Sequence, residues 1–310
     1  MAISESMNSD FYKSLSNVND QVVEFANKNY DSQHLYDLSL IVAFYNNINV
    51  LKLTLASIEM QSHKNFCVII CDDGSKPEIV STLKLYLNEL SFPVLHLWHQ
   101  DIGFRKNRML NWGILKSPSD YLAFIDQDCI LHPEFLKEHF THRKTKTVLS
   151  GRRTDLTPFV SGQLTPEKIK SGYLQKNFWW IFLVILWMKD NNAPKGIYIK
   201  NNWLRNLLNR KHRGIVGCHF SVNKQDLLDI NGFDTRYEGA GIGEDSDIDY
   251  RMSLNGVKIQ PFCNIAIQYH YYHKLLIRKN VNHEIFAEVQ REHQIVTQYG
   301  IQQQLAHLIK

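Results

Sequence analysis

Apolar residues in this chain fall into short unbroken runs separated by amphipathic stretches. Leu38–Phe44, Phe66–Cys71, Val94–Trp98 and Tyr121–Ile125 have the length and branched content of buried strands. Between them, residues 49–61 carry Val50, Leu51, Leu53, Leu55, Ile58 and Met60, a helical pattern. Pro77 opens a second helix through Leu90, with Ser75 as its expected cap. Arg105 to Leu115 reads as a third. Apolar strands alternating with helices predict a parallel sheet covered on both faces. Ligands of such sheets bind beyond the carboxyl ends of the strands. Asn46, Asp72, Asp73, Asp126 and Asp128 all stand at such ends.

The second half is patterned differently. Residues 151–213 read as irregular, aromatic and basic. Gly214 to Val222 is an expected strand and Lys224 to Asn231 a short helix. Residues 232–243 are glycine-rich, Glu244 to Leu254 is helical, and Ile259 to Tyr269 is strand-like, leading into His270 and His273. Residues 1–35 form a polar leader, with one helix expected over Phe11 to Asn27. No internal repeat or low-complexity tract is visible.

Composition narrows the class. The 310 residues are 44% hydrophobic and 21% charged, which excludes a disordered, collagen-like or coiled-coil chain. Thirty-five Lys and Arg against 31 Asp and Glu leave +4, too mild to argue for nucleic acid. Cys67, Cys71, Cys129, Cys218 and Cys263 contain no Cys-x-x-Cys pair and read as buried thiols of a reducing compartment. The N-terminus lacks the basic region and apolar run of a signal peptide.

The longest apolar run, Phe178–Met188, would span about 16 Å as a helix. A hydrocarbon core is roughly 30 Å thick, so the run cannot cross it. Lys195, Lys200, Arg205, Arg210, Lys211 and Arg213 follow, interleaved with Trp203, Leu204, Leu207 and Leu208. Two readings stand: peripheral contact of 178–213 with an anionic membrane, or a buried helix beside a solvated basic face.

Several short motifs carry chemistry. Asp126-Gln127-Asp128 ends a strand and offers hard oxygen ligands for Mg²⁺ or Mn²⁺ beside a diphosphate; a solvated turn is the alternative. Asp72-Asp73-Gly74-Ser75 could hold a uracil imide, or be ordinary turn chemistry. Arg105 and Arg108, at i, i+3, could neutralise a diphosphate or form a solvated face. Glu244-Asp245 follows a glycine-rich loop at a helix start, where a carboxylate is kept ionised as a general base requires; a capping box is the alternative. Asp247 and Arg251, at i, i+4, read as a structural pair. His270 or His273 could complete a metal shell begun by Asp128, or sit in a surface loop.

In order along the chain, these elements resemble an inverting family 2 glycosyltransferase. Leu38–Phe44, Asp72–Ser75, Gly103-Phe104-Arg105 with Asn111, and Asp126–Asp128 match the nucleotide-binding half. Gly217–Val222, Asn231-Gly232-Phe233-Asp234 and Gly243–Arg251 are similar to a galactosyltransferase-type C-terminal region. The chain departs from the family pattern at Ala240, where relatives often carry tryptophan.

The resemblance implies a GT-A fold: a Rossmann-like, nucleotide-binding mixed sheet flanked by helices, here with an aromatic and basic insertion. The resemblance covers roughly residues 36–275 and implies a nucleotide-sugar half (36–150) and an acceptor and catalytic half (214–275); the leader (1–35) and the variable acceptor or membrane segment (151–213) have no match in it, and a helical segment (276–310) is expected at the C-terminal end. It further implies a nucleotide-sugar donor, usually UDP-linked, a Mn²⁺ or Mg²⁺ ion, and a glycan or glycolipid acceptor. Asp72 or Asp73 would hold the base and Asp126 and Asp128 would bracket the metal diphosphate. Asp245 would be the catalytic base, with Glu244 touching sugar or acceptor. A cytoplasmic enzyme of bacterial surface polysaccharide or lipopolysaccharide synthesis, at the inner face of the cell membrane, fits that pattern.

Three rivals remain in view. A nucleotidyltransferase wants a glycine-rich basic loop where this chain has Tyr45-Asn46-Asn47. A glycoside hydrolase needs neither nucleotide nor metal. A non-catalytic glycan-binding or membrane-associated subunit would explain the aromatic segment but not the acidic set.

Overall fold

Every residue of the first two predicted strands is buried, which requires a sheet covered on both faces. In the computed structural model, which describes residues 22–188, 192–209, 211, 213–239, 243–274 and 282–306, eleven strands form among the described residues. They are β1 (Val23–Ala26), β2 (Leu38–Phe44), β3 (Phe66–Asp72), β4 (Val94–Trp98), β5 (Tyr121–Asp126), β6 (Cys129–Leu131), β7 (Thr147–Ser150), β8 (Arg153–Asp155), β9 (His219–Asn223), β10 (Lys258–Pro261) and β11 (Gln268–His270).

Eight of them make one mixed sheet in the order β1-β4-β3-β2-β5-β9-β7-β10. Strands β4, β3, β2 and β5 are mutually parallel. β9 runs antiparallel between β5 and β7, so a late strand completes the sheet begun by the early ones. The remaining three form a small sheet, β6-β11-β8. The fold is the mixed α/β arrangement that the resemblance implies; the pattern alone predicts a parallel sheet, and antiparallel β1 and β9 make it mixed.

Successive strand residues serve opposite faces, as a period of two demands. Leu40, Val42, Val68 and Ile70 pack beneath the helix Ile48–Glu59 with Leu51 and Leu55. Ile41, Ile69 and Phe124 face Met109 and Ile114 of the helix Lys106–Lys116, together with Phe220, Phe233 and Ile248. That helix lies so close that a Cβ on Gly113 would stand 2.6 Å from Cys71 Sγ, so only glycine fits there.

Two polar links lock the late elements onto the early ones. Asn111 Nδ2 donates to Phe233 O at 2.9 Å and its Oδ1 accepts from Phe233 N at 2.8 Å. Asn107 Nδ2 donates to Asp234 O at 2.8 Å. Arg251, fully buried in the helix Glu244–Leu254, donates to Asp247 Oδ2, to Ile230 O at 2.7 Å and to Gly232 O at 2.8 Å. The expected Asp247–Arg251 pair is therefore structural.

The structure also revises several expectations. Residues 23–26 are strand β1, paired antiparallel with β4, so the helix expected over Phe11 to Asn27 does not include them; residues 11–21 lie outside the described residues. Ser75 does not cap the helix Pro77–Glu89. Its Oγ accepts from Asn46 N at 2.7 Å, and Asn46 Oδ1 takes the Lys76 amide at 2.9 Å. The strand expected from Gly214 starts only at His219, because the Ile215 amide donates to Asp249 Oδ2 and the Gly217 amide to Asp245 Oδ2. The strand expected over Ile259 to Tyr269 is two strands in different sheets. Pro261 has no N–H for a ladder, and Asn264 turns at φ 63°. Residues 151–213 are not irregular: they hold β8 and short helices, with Val160, Ile169, Leu174, Ile181 and Ile185 in a third core. Of the C-terminal segment, Asn282–Arg291 and Ile301–Ala306 are helical; 276–281 and 307–310 lie outside the described residues.

Replacing Arg251 by Leu strands the buried Asp247 carboxylate and two carbonyls. Loss of one partner of such a pair costs about 3–5 kcal/mol. Urea unfolding of R251L is expected to show a destabilisation of that size.

Candidate active site

The parallel strands β2, β3 and β5 end on one edge, and their loops are tied together there. Asp73 N donates to Phe44 O at 2.9 Å. Tyr45 N donates to Gln127 Oε1 at 3.0 Å. Asn46, at φ 56°, joins the β2 loop to Ser75 and Lys76. The strand-end residues singled out from the sequence thus do share one edge.

The two aspartates of the β3 turn differ in availability. Asp72 is fully buried; its Oδ1 accepts from Ser75 N at 2.8 Å and its Oδ2 lies 2.9 Å from His96 Nε2. It shapes the turn, which corrects its expected place as an alternative base-holding residue. Asp73 sits nearer the surface, with His99 Nε2 at 3.0 Å and the Arg105 amide at 2.9 Å. Burial raises its carboxyl above the usual range, against the lowering effect of those two donors.

The cation-binding donors are built by the small sheet. In β6-β11-β8, His270 is in register with Cys129 on one side and Asp155 on the other. Asp128 precedes Cys129, and its carbonyl accepts from Tyr271 N at 2.9 Å. Asp128 Oδ2 therefore meets His270 Nε2 at 3.3 Å and His273 Nε2 at 3.2 Å. Ligand atoms of Asp128, His270 and His273 all lie within 4.8 Å of one another. Burial alone would raise Asp128, but the two histidines outweigh it and hold the carboxyl well below its usual range. Burial would likewise lower His270, but Asp128 and Asp155 push it up to about 9.

This donor set fits a divalent first-row ion. One carboxylate with two imidazoles suits Mn²⁺ better than Mg²⁺. His270 Nδ1 is held by Asp155 Oδ1 at 3.0 Å, which leaves Nε2 aimed at Asp128. An imidazole fixed through its far nitrogen by a carboxylate is the usual support of a metal ligand. Asp155, which the sequence reading missed, is placed there only by strand register.

Asp126 is not among the three residues whose ligand atoms converge. Its Oδ1 lies 2.8 Å from Lys106 Nζ, and the same ammonium lies 2.9 Å from Glu244 Oε1. Lys106 is buried, which lowers its pKa, but the two carboxylates raise it well above the ordinary lysine value. The expected cations lie nearby: Arg105 Nη1 meets Glu238 Oε1 at 2.9 Å, and Arg108 follows one helical turn on, half-buried. Lys106 is the cation that joins the acids of the two halves.

Glu244 and Asp245 open the helix Glu244–Leu254 after Gly243, whose φ is 135°. A Cβ on Gly243 would collide with the Tyr237 ring at 2.2 Å. Burial raises the Glu244 carboxyl, partly offset by Lys106. Its buried Oε2 has no hydrogen-bond partner among the described residues. Asp245 Oδ2 accepts from Gly217 N at 3.3 Å and Oδ1 from Ser246 N at 2.8 Å. No side chain caps this helix, so the capping-box alternative does not describe it. Residues 240–242, including Ala240, lie outside the described residues.

Residues 39–169 match the family model of Glycosyl transferase family 2. Residues 207–274 match that of the N-terminal domain of galactosyltransferase. Residues 39–169 are thus similar to glycosyl transferase family 2.

Among curated relatives, Validoxylamine A glucosyltransferase of Streptomyces hygroscopicus is 22% identical over 243 residues, covering 73% of this chain and 53% of its own. Hyaluronan synthase of Pasteurella multocida is 30% identical over 104 residues, covering 33% of this chain and 10% of its own. The chain thus spans about half, or far less, of these relatives. The S. aureus TarS structure in complex with UDP-GlcNAc aligns at a TM-score of 0.49 and 17% identity, over 77% of this chain and 59% of that one.

A metal must displace the protons of His270 and His273. With His270 raised to about 9, Mn²⁺ affinity is expected to increase as pH is raised toward that value, with proton release on binding. Calorimetric titration in two buffers of different ionisation enthalpy reads both. Asp155→Asn should weaken Mn²⁺ binding about 10- to 100-fold.

Proposed function

We propose that this chain is a metal-dependent inverting glycosyltransferase. It moves a sugar from a nucleotide-sugar, UDP-linked, to a hydroxyl of a glycan acceptor in bacterial surface polysaccharide synthesis. The observation that carries this reading is the salt-bridged Lys106. It brings Asp126, at the end of a nucleotide-binding strand, against Glu244, beside Asp245 at a helix start. The activities of two relatives, a Validoxylamine A glucosyltransferase and a hyaluronan synthase, support the same class.

The residues divide the chemistry between them. Asp73 and the β2 and β3 loops face the nucleoside. Arg105 or Arg108 supplies positive charge for the diphosphate, which leaves with the electron pair of the bond it made to the anomeric carbon. Asp128, His270 and His273 would hold the divalent ion, whose charge offsets that of the leaving group when it is bound. Asp245 accepts the proton of the acceptor hydroxyl as that oxygen forms its bond to the anomeric carbon from the opposite face. Two backbone amides, of Gly217 and Ser246, hydrogen-bond that carboxylate and orient it. The unpartnered Glu244 Oε2 is placed to accept a hydrogen bond from a sugar hydroxyl. One base and one displacement suffice, and the configuration inverts.

Calorimetry with UDP, GDP and CDP, with and without Mn²⁺, tests this on three proteins. Wild type is expected to bind UDP tightly only with Mn²⁺, and Asp128→Ala to lose that dependence. Asp245→Asn should keep UDP binding while transfer falls about 10²- to 10⁴-fold. Absence of nucleotide binding under every condition would overturn the donor half. Undiminished transfer by D245N would remove Asp245 as the base.

A further inference from the structure

The apolar helix Phe178–Trp187 is half core and half surface. Ile181 and Ile185 are buried in the third core. Trp179, Leu183 and Trp187 recur along the opposite side at 69%, 63% and 82% exposure, flanked by exposed Trp180, Leu186 and Met188. Phe159, 62% exposed, meets Trp180 with ring centroids 6.2 Å apart. A further helix, Asn202–Leu208, exposes Trp203, Leu204 and Leu207. An exposed apolar helix side of this kind marks a contact face.

Charge identifies what covers it. Residues 168–213 contain ten Lys and Arg and a single acid, Asp190; the remaining residues carry 25 cations and 30 acids. All the excess positive charge of the chain is therefore in the segment that carries the tryptophans. Lys168, Lys176, Lys200 and Lys211 are exposed. Such a face repels its own copy in a symmetric pairing and is attracted to an anionic bilayer, at about 1 kcal/mol per cation near the surface. The helix is about 15 Å long, and no helix among the described residues is long and apolar enough to cross a membrane. Tryptophans on a short helix with flanking cations suit the headgroup layer.

The face is wired to the cation-binding residues. Asn192, five residues beyond the helix, donates from Nδ2 to Asp155 Oδ2 at 2.7 Å, and Asp155 holds His270. Ser161, two residues from Phe159, accepts the Tyr272 amide at 3.0 Å. We propose that helix 178–187 docks the chain on an anionic bilayer surface and brings the Asp128–His270–His273 cluster to that surface. On the transferase reading above, this makes the acceptor class lipid-anchored.

Co-sedimentation with vesicles tests the docking without nucleotide or turnover. Vesicles of phosphatidylcholine, with and without phosphatidylglycerol, are mixed with wild type, W179S/W187S and K200E/K211E. Wild type is expected to pellet with phosphatidylglycerol vesicles, its tryptophan emission quenched by brominated lipid. W179S/W187S should bind about tenfold more weakly or less; K200E/K211E should lose only the preference for anionic lipid. All four positions are exposed, and unchanged urea unfolding confirms intact variants. Wild type remaining in the supernatant with both vesicles would overturn the proposal. So would a lipid-free dimer in sedimentation velocity that W179S/W187S abolishes. UDP binding, measured in parallel, separates failure of docking from failure of the transferase reading.

Discussion

The geometry of the site depends on one short ladder. β11 lies between β6 and β8, and the Tyr271 amide bonds to the Asp128 carbonyl. Residues 128 and 270 are far apart in the chain, and closing so long a loop costs conformational entropy. Three strands of three residues cannot repay that alone. Ile130, Ile267 and Tyr269 bury their side chains with Leu156, Val160 and Leu174, so the aromatic and basic segment supplies the apolar surface that the ladder needs. The Asp128–His270–His273 cluster and the exposed apolar helix consequently rest on one core.

The large sheet contributes differently. Its parallel strands place carboxylates and loop amides on one edge, while antiparallel β9 brings in the segment that leads to Gly217. Asn107 and Asn111 then hold the Asn231–Asp234 turn against the helix that also carries Lys106. Arg251 holds that turn to the helix that carries Glu244 and Asp245. Structural hydrogen bonds and site chemistry therefore alternate along the same two helices. A substitution in the buried pair acts on the site by shifting its helix, since a rigid core transmits such displacements.

Much of this was legible in residues alone. Buried strands announce themselves as unbroken apolar runs, and β2 and β4 begin and end where the runs do. The helix starting at Glu244 follows from its acidic first turn and preceding glycines. Partners contributed by other elements were not legible. Lys106 is one of three cations in a helical stretch, and nothing in its neighbours says which one points at Asp126. The same holds for Asp72 against Asp73: adjacent carboxylates look alike until the β4 partner His96 is known to take the first.

The sequence by itself determined the alternation of strands and helices and the strand-end positions of the acids, because periodicity and turn chemistry are local properties. Tertiary structure decided the rest. It split the stretch 259–269 between two sheets, set Asp126 against Lys106, and paired His270 with Asp155. It also divided the apolar helix into a core side and an exposed side. Each of those outcomes depends on which distant side chain lies within hydrogen-bonding or van der Waals reach, a distance that no local pattern encodes.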